Sequence, residues 1–405
     1  MHVREGLYIP SLFWKRSLYS MKLEDLKTIA VIGPGDIGHG IAQLALMAGY
    51  QVNLCGRRQV SLDRGMDRIG ASLEKLAAKG KISEDVAEAF KNGKMKGTLS
   101  LEDAVKDAQL IIEAVPEELE IKKTVLHQIS DACPENAVIA TNTSSMSITM
   151  LAENVEHPEN MAGMHYFNPA VLMKLVEVIR GDRTSDETVA FICEYAKHVG
   201  KTVVLARKDT PGFIANRIVA PVVVYNGLCL DIDGFTPADI DLSMMKNGQK
   251  MGPMELADYT GIDVTSSCQD YYHAHLSSDY GPSRAAKELM AKGCLGKKTG
   301  SGYYVWPGKG RPEINPLMYT GNYDPDIPNF IQANEACKLY EEGVCTLEEC
   351  DTAIRLGYNM EGPIEYIQRF EPDEIVSALE FLAVRYHKGI FKPVETIKTG
   401  AYKRS

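Results

Sequence analysis

The sequence of 405 residues predicts an α/β fold: a doubly wound sheet, followed by an all-helical C-terminal region with a degenerate second copy. Three observations predict it. An apolar strand runs directly into three closely spaced glycines, and apolar runs then alternate with helical patterns as far as Leu205. Beyond that point, one helical pattern recurs about 110 residues further along the chain, as expected for an internal duplication.

The strongest local signal is the segment KTIAVIGPGDIGHG, residues 27–40, in which an apolar strand meets glycines at the spacing G-x-G-x-x-G. Gly33 permits a tight turn after the strand, Gly35 lets the backbone approach a pyrophosphate, and Gly38 lets the following helix pack closely. Phosphates bind at such a helix N-terminus because its first N–H groups lack acceptors within the helix. The motif therefore predicts a Rossmann-like dinucleotide-binding domain.

The residues after the second strand indicate which dinucleotide binds. An NAD site usually has Asp or Glu there, about 20 residues beyond the glycines, to bind the ribose hydroxyls. In this chain Gly56 occupies the position, and Arg57 and Arg58 follow it. Without the carboxylate a 2′-phosphate is not repelled, and a guanidinium binds phosphate through charge-assisted hydrogen bonds. We therefore expect NADP(H) to be favoured, with NAD(H) still possible because the arginines could belong to a solvated loop.

Apolar runs predict six strands in the first half of the chain. Helical patterns separate them, so a mostly parallel sheet with crossover helices is expected, the first helix being Ile37–Ala48. Residues 61–96 carry apolar side chains at helical spacing and predict a helical hairpin that projects from the sheet. The predicted strands are Thr28–Ile32, Gln51–Cys55, Leu110–Ala114, Ala137–Thr141, Met161–Phe167 and Lys174–Ile179.

The pattern becomes helical after Lys208, and residues 226–254 can be aligned with residues 334–364. A repeat of this length indicates a duplicated helical unit that packs on its parent. The aligned pairs are Gly234 with Gly343, Asp241 with Asp351, and Pro253 with Pro363. The expected segments are an N-terminal extension (1–26), the dinucleotide-binding domain (27–207), a helical substrate domain (208–306), a linker (307–329) and the degenerate repeat (330–405).

Composition argues against several classes of function. The formal net charge of -10 disfavours a nucleic-acid surface, and no apolar run reaches the roughly 20 residues that span a bilayer. The nine cysteines form no C-x-x-C pair and no zinc-ligand spacing with histidine. We therefore expect no nucleic-acid partner, no membrane association, no metal site and a cytoplasmic location with reduced thiols.

Residues 1–20 contain Glu5, Pro10 and the pair Lys15 and Arg16, which interrupt the apolar stretch that a secretory signal needs. We expect no secretory signal there. An organellar presequence and a loosely ordered extension before a start at Met21 both remain open.

A histidine and a glutamate in neighbouring predicted strands could form an acid–base pair. His165 lies among apolar residues in one strand, and Glu177 lies twelve residues further on in the next, so a turn at residues 168–171 could bring them together. A neutral imidazole held by a carboxylate is the base needed to take a proton from an alcohol while its carbon gives hydride to nicotinamide. Taken alone, a histidine in such a strand is more often a satisfied core residue, and Glu177 could be a charge on an edge strand.

Four motifs follow the glycine turn in order: NTSS at 142–145, GMHYFNP at 163–169, KLVEV at 174–178 and KDTPGFIANR at 208–217. Together with GPGDIGHG they resemble the L-3-hydroxyacyl-CoA dehydrogenase family over about residues 27–306, and the repeat extends the resemblance to about residue 398. The resemblance implies interconversion of (3S)-3-hydroxyacyl-CoA and 3-oxoacyl-CoA with a nicotinamide cofactor.

The resemblance also implies roles for individual residues. His165 would be the general base and Glu177 its orienting partner. Ser144 and Asn216 would donate hydrogen bonds to the 3-oxo group, stabilising the charge that develops there. The positions that match coenzyme A contacts are Ser72 and Lys79, and those that match nicotinamide-cofactor contacts are Glu117, Lys122 and Asn142.

In the family the helical domains pair two subunits, so residues 208–306 would be a dimerisation domain as well as a substrate domain. The repeat has no counterpart of KDTPGFIANR and is therefore expected to be a packing module rather than a second active site. Because a fused copy could replace the partner subunit, a monomer that is a pseudo-dimer and a homodimer both remain open.

Two rival functions are compatible with parts of this sequence. The first is a hydroxyacid or sugar-acid dehydrogenase that uses the same histidine and glutamate on a substrate without coenzyme A. The second is a cofactor-binding or structural protein that has lost activity. The intact set His165, Glu177, Ser144 and Asn216 argues against the second.

Overall fold

The structure is a computed structural model that describes residues 21–404, so the predictions for residues 1–20 lie outside the described residues. Eight strands form a single sheet. They are β1 (Thr28–Ile32), β2 (Gln51–Cys55), β3 (Met95–Thr98), β4 (Leu110–Glu113), β5 (Val138–Thr141), β6 (Met161–Tyr166), β7 (Leu175–Ile179) and β8 (Thr202–Ala206). Their order is β3-β2-β1-β4-β5-β6-β7-β8, and every neighbouring pair is parallel except β6 with β7, which is antiparallel. The predicted doubly wound sheet is confirmed.

The helices that accompany the sheet cover both of its faces, as parallel strands require. They are α1 (Gly38–Met47), α2 (Gln59–Ala78), α3 (Glu84–Lys91), α4 (Leu101–Val105), α5 (Leu119–Ala132), α6 (Ile148–Ala152) and α7 (Asp186–His198). Two separate apolar clusters of buried side chains, one on each face, hold these helices to the strands.

The structure corrects the strand assignment in two places. β3 lies at the end of the segment 61–96 that was assigned to the helical hairpin; the hairpin itself, α2 with α3, is present but ends at Lys91. The sequence of β3, MKGT, is short, largely exposed and poor in β-branched residues, so its pattern is weak. β8 was also missed. Its side chains alternate only partly between buried and exposed because it is the edge strand of the sheet.

Helices make up most of the remaining chain. The first unit contains α8 (Ala215–Leu228), α9 (Pro237–Lys246), α10 (Pro253–Thr260), α11 (Ile262–His275) and α12 (Arg284–Ala291). The second contains α13 (Asp326–Glu341), α14 (Leu347–Gly357), α15 (Pro363–Tyr366), α16 (Pro372–Tyr386) and α17 (Glu395–Lys398). α13 begins within residues 307–329, which the sequence assigned to the linker.

The two helical units share local geometry at the positions that the sequence aligned. Gly234 and Gly343 have φ values of 75° and 70°, in the left-handed region that favours glycine. Asp241 accepts two backbone N–H bonds at the start of α10, at 2.7 and 2.9 Å. Asp351 accepts two at the start of α15, at 2.8 and 3.3 Å. The same buried carboxylate therefore caps the equivalent helix in each copy.

The second unit packs directly on the first, and one continuous apolar cluster contains side chains from both. A buried ion pair crosses the contact. Arg217 of α8 lies 2.5 Å from Glu335 of α13, measured from Nε to Oε1, and each side chain is only 1% exposed. Removing either partner would leave the other charge buried without its close partner, which would strongly destabilise the folded protein.

None of the helices within residues 21–404 combines the length and apolar character that a bilayer crossing requires. In the same residues, histidine, cysteine and carboxylate side chains do not gather into a group of three or more that could hold a metal ion.

Candidate active site

The three glycines after β1 differ in their surroundings. Gly33 has a φ of 113°, and a Cβ there would lie 2.4 Å from the carbonyl oxygen of Ala114. A Cβ at Gly38 would lie 1.8 Å from the carbonyl oxygen of Gly33. Around Gly35, by contrast, no atom lies within 4 Å of the Cβ position. Gly33 and Gly38 are thus enclosed by backbone, and the space beside Gly35 is open. This open space at the start of α1 suits a pyrophosphate.

The segment after β2 carries the two arginines on the surface. Arg57 and Arg58 are exposed at the start of α2, and neither forms an ion pair with a carboxylate within residues 21–404. Gly56 is buried, and a Cβ there would come within 3.1 Å of Pro34 and Leu62. A larger residue at position 56 would therefore press on the glycine turn.

The structure brings His165 and Glu177 together. β6 and β7 pair in antiparallel fashion with these two residues directly opposite each other. The imidazole Nδ1 lies 2.7 Å from Glu177 Oε2, and both side chains are buried. Because a carboxylate accepts, Nδ1 carries the proton, and Nε2 is left as the basic nitrogen.

Glu177 is also held from its other side. Its Oε1 accepts the backbone N–H of Ile214 at 3.2 Å and of Ala215 at 2.8 Å, at the start of α8. The N-terminus of a helix favours negative charge, since its free N–H groups and dipole point there. The carboxylate is therefore fixed by the helix and the imidazole together.

Asn216 follows in α8 and connects this pair to the NTSS loop. Its amide Nδ2 donates to the carbonyl oxygen of Ser144 at 3.3 Å, and its amide oxygen accepts from the hydroxyl of Tyr358 at 2.7 Å. Ser144 in turn donates to Glu117 Oε1 through its backbone N–H at 2.8 Å and its hydroxyl at 3.2 Å. All four residues predicted to do the chemistry thus lie in one group.

Glu117, whose side chain is 36% exposed, contacts a buried ion pair of Lys122 and Glu113 at the carboxyl end of β4. The ammonium of Lys122, almost fully buried, lies 2.9 Å from Glu113 and 3.2 Å from Glu117. Desolvation disfavours the charged form of Glu117, but Lys122 and the donors Thr143 and Ser144 outweigh it, so its pKa lies below the usual value. Glu117 is therefore an anion beside Ser144.

The remaining predicted residues lie at the edges of this group. Asn142 follows β5, and its side-chain oxygen accepts the backbone N–H of Tyr166 at 2.8 Å. Ser72 lies on α2 and is half-buried, and Lys79 follows the last residue of α2 and is exposed. Among the described residues, no hydrogen bond joins these last two to the His165 group.

Two participants were missed from the sequence. Glu113, the buried partner of Lys122, could have been predicted from the sequence. It is the last residue of the apolar strand LIIE, and ligands bind at the carboxyl ends of the strands in such sheets. Tyr358 gave no signal because it lies 142 residues from Asn216, in the second helical unit.

Two family models match the chain. The model for the NAD binding domain of 3-hydroxyacyl-CoA dehydrogenase matches residues 28–210, and the model for the C-terminal domain of the same enzyme matches residues 212–306. The chain belongs to the 3-hydroxyacyl-CoA dehydrogenase family. It is accordingly an oxidoreductase that acts on a CH–OH group with a nicotinamide cofactor, and the resemblance drawn from the sequence motifs is confirmed.

Individual relatives agree with this family. A probable 3-hydroxyacyl-CoA dehydrogenase of Caenorhabditis elegans is 36% identical over 290 residues, covering 70% of this chain and 97% of that protein. A probable 3-hydroxybutyryl-CoA dehydrogenase of Deinococcus radiodurans is 39% identical over 279 residues, covering 68% and 99%. The crystal structure of 3-hydroxybutyryl-CoA dehydrogenase from Escherichia coli K12 matches with a TM-score of 0.83 at 28% identity, covering 93% of this chain and 98% of that one.

Proposed function

We propose that this 3-hydroxyacyl-CoA dehydrogenase interconverts (3S)-3-hydroxyacyl-CoA and 3-oxoacyl-CoA, with His165 as general base and acid. The observation that carries the proposal is the buried His165–Glu177 pair beside Ser144 and Asn216. A bound nicotinamide supplies or accepts the hydride at C3.

In the oxidative direction, Nε2 of His165 accepts the proton of the C3 hydroxyl as the C3–H bond breaks and the carbonyl forms. Glu177 stabilises the resulting imidazolium through the 2.7 Å contact to Nδ1 and keeps the ring in the tautomer that leaves Nε2 free. In the reductive direction the imidazolium returns the proton to the C3 oxygen.

Ser144 and Asn216 supply the donors for the C3 oxygen. The amide nitrogen of Asn216 lies 3.3 Å from the backbone carbonyl of Ser144, which keeps the two residues adjacent. The Ser144 hydroxyl donates to Glu117 in this structure and turns to the C3 oxygen when the substrate binds. The Asn216 amide is fixed in advance, and such a donor stabilises developing negative charge without reorganising.

We propose NADP(H) as the favoured cofactor. The glycine turn accommodates the pyrophosphate, and the exposed guanidinium groups of Arg57 and Arg58 suit a 2′-phosphate where an NAD site would carry a carboxylate. Replacing both arginines by alanine should raise the KM for NADPH about 10-fold or more while changing that for NADH little. Arg64→Ala, an exposed arginine on the same helix, is the matched control. An equal loss for both cofactors would contradict the preference.

We propose that Ser72 of α2 and Lys79, just beyond its end, bind coenzyme A, the exposed ammonium of Lys79 contacting a phosphate. The rival function, a hydroxyacid or sugar-acid dehydrogenase, needs no such contact. Rates with acetoacetyl-CoA and with free acetoacetate distinguish the two. A higher kcat/KM for acetoacetate would favour the rival.

We propose residues 27–207, residues 208–306 and the repeat that begins with α13 at Asp326 as functional segments, with the repeat as the internal substitute for a partner subunit. The shared apolar cluster of the two helical units supports this arrangement. Sedimentation equilibrium distinguishes the monomer, which we favour, from the homodimer.

The free thiols of the nine cysteines support a cytoplasmic location, which cell fractionation tests.

The experiment that tests the activity is the initial rate of NADPH and NADH oxidation with acetoacetyl-CoA at matched cofactor concentrations. A rate with NADPH well above that with NADH is the expected result. A preference for NADH would keep the reaction and overturn the cofactor proposal. Absence of a rate with either, extended to longer 3-oxoacyl-CoA substrates, would overturn the function.

A further inference from the structure

We infer that Tyr358, which belongs to the C-terminal repeat, is a positioning residue of the active site: it orients the Asn216 amide so that its nitrogen faces the C3 oxygen of the substrate. The inference rests on the function proposed above. It also gives the repeat a part in the reaction, whereas the sequence predicted a packing module.

The orientation of the Asn216 amide is set from two sides. Its nitrogen lies 3.3 Å from the carbonyl oxygen of Ser144, and a carbonyl can only accept, so the nitrogen must stand on that side. The amide oxygen consequently faces the hydroxyl of Tyr358 at 2.7 Å, which must donate. The second N–H of the amide has no acceptor among the described residues and is available to the substrate.

Tyr358 is suited to act as a donor here. Burial, followed by the nearby charge of Glu177, raises the pKa of Tyr358 well above its usual value. The hydroxyl therefore keeps its proton throughout the neutral range. A hydroxyl can also accept, but an accepting role would require the amide to rotate and turn its oxygen toward the Ser144 carbonyl, where two acceptors would repel each other.

The repeat holds Tyr358 against the strands of the active site. Tyr358 follows the last residue of α14, and Glu349 of α14 accepts the backbone N–H of Leu205 in β8 at 3.2 Å and pairs with Arg207, just beyond β8, at 2.5 Å. The preceding residue, Gly357, packs so closely that a Cβ there would lie 2.9 Å from the ring of Phe167. That ring is 4.6 Å from the imidazole of His165. Tyr358 is thus fixed relative to the same strand that carries the base.

Losing the Tyr358 hydroxyl would leave the amide oxygen of Asn216 without its donor, and the side chain would be held only by the 3.3 Å hydrogen bond to the Ser144 carbonyl. The amide nitrogen is then less firmly placed toward the C3 oxygen, which gains negative charge in the transition state. A fault of this kind lowers kcat rather than raising the KM, because the interaction strengthens as the reaction proceeds.

The test is a double-mutant cycle with acetoacetyl-CoA, comparing the wild type, Tyr358→Phe, Asn216→Ala and the double variant. Tyr358→Phe should lower kcat about 3- to 10-fold, the worth of one hydrogen bond, and leave the KM for the nicotinamide cofactor unchanged. In the Asn216→Ala background the same change should have no further effect on kcat. Tyr402→Phe is the control, since that hydroxyl is buried in the same repeat and has no partner among the described residues.

Several results would overturn the inference. Wild-type kcat in Tyr358→Phe, an equal loss in both Asn216 backgrounds, or the same loss in Tyr402→Phe would each show that the hydroxyl does not act through the amide. A wild-type enzyme that turns over no 3-oxoacyl-CoA would instead overturn the proposed function, and the inference with it.

Discussion

At the scale of single residues, three glycines that share one motif have different tasks. The spacing G-x-G-x-x-G indicates all three equally, but the structure separates them: Gly33 and Gly38 are enclosed by backbone, and Gly35 faces open space. For His165, too, the sequence indicates the residue but not its surroundings. Its residue type and strand were visible in the sequence, and so was Glu177, but the N–H groups that fix Glu177 come from α8, which the sequence could not place.

The glycines yield the first prediction. Gly38→Ala should destabilise the fold by about 1–3 kcal/mol, because its Cβ would overlap the carbonyl of Gly33. Gly35→Ala should leave Tm nearly unchanged and weaken cofactor binding, because its Cβ would enter the space proposed for the pyrophosphate. Thermal unfolding and fluorescence titration with NADPH measure the two effects. Equal losses of Tm in both variants would contradict the distinction.

At the scale of elements, apolar periodicity in the sequence was sufficient to predict the buried central strands but not the two edge strands of the sheet. β1, β2 and β4 to β7 were predicted to within one residue at each end because their side chains are mostly buried. β3 and β8 are the two edge strands, and edge strands lose the pattern because one side faces solvent or a helix from elsewhere. The duplicated helical unit was visible because its capping carboxylate and its left-handed glycine are local requirements.

The capping carboxylate yields a prediction about pH. Burial raises the pKa of Asp241 to about 7, from an ordinary value near 4, although the N–H groups of α10 oppose the shift. The folded state therefore holds more protons than the unfolded state between these values. The contribution of Asp241 to stability is full at low pH and is lost as pH rises toward 7.

Urea unfolding at pH 5 and pH 7 measures this effect. Asp241→Asn should remove part of the fall in the free energy of unfolding over that interval, and Asp107→Asn, at an exposed carboxylate, should retain it. The prediction would be wrong if Asp241→Asn kept the full wild-type slope.

At the scale of the whole molecule, the repeat is an integral part of the enzyme. Its helix α13 packs on α8. The N–H groups at the start of α8 bind the Glu177 carboxylate, and Asn216 lies in its first turn. The buried ion pair of Arg217 and Glu335 connects the two helices. The sequence indicated the duplication and its length. It could not show which faces meet, because that depends on contacts between residues more than a hundred positions apart.

The buried pair yields the third prediction. Glu335→Ala would remove the close partner of the buried Arg217 guanidinium, leaving only Glu342 at 3.9 Å, and should destabilise the protein by about 3–5 kcal/mol. Glu361→Ala, which removes an exposed ion pair with Arg369 in the same repeat, should cost at most about 1 kcal/mol. Chemical denaturation compares the two. Similar small losses would show that the contact between the helical units is not tightly closed.

The most direct test of the account is the turnover of His165→Gln with acetoacetyl-CoA and NADPH, together with its affinity for NADPH. If His165 is the group that moves the proton, kcat falls by about 10²- to 10⁴-fold while the affinity for NADPH stays at the wild-type value. Turnover within a few-fold of the wild type would contradict the account, because the buried pair of His165 and Glu177 would then have no part in the chemistry.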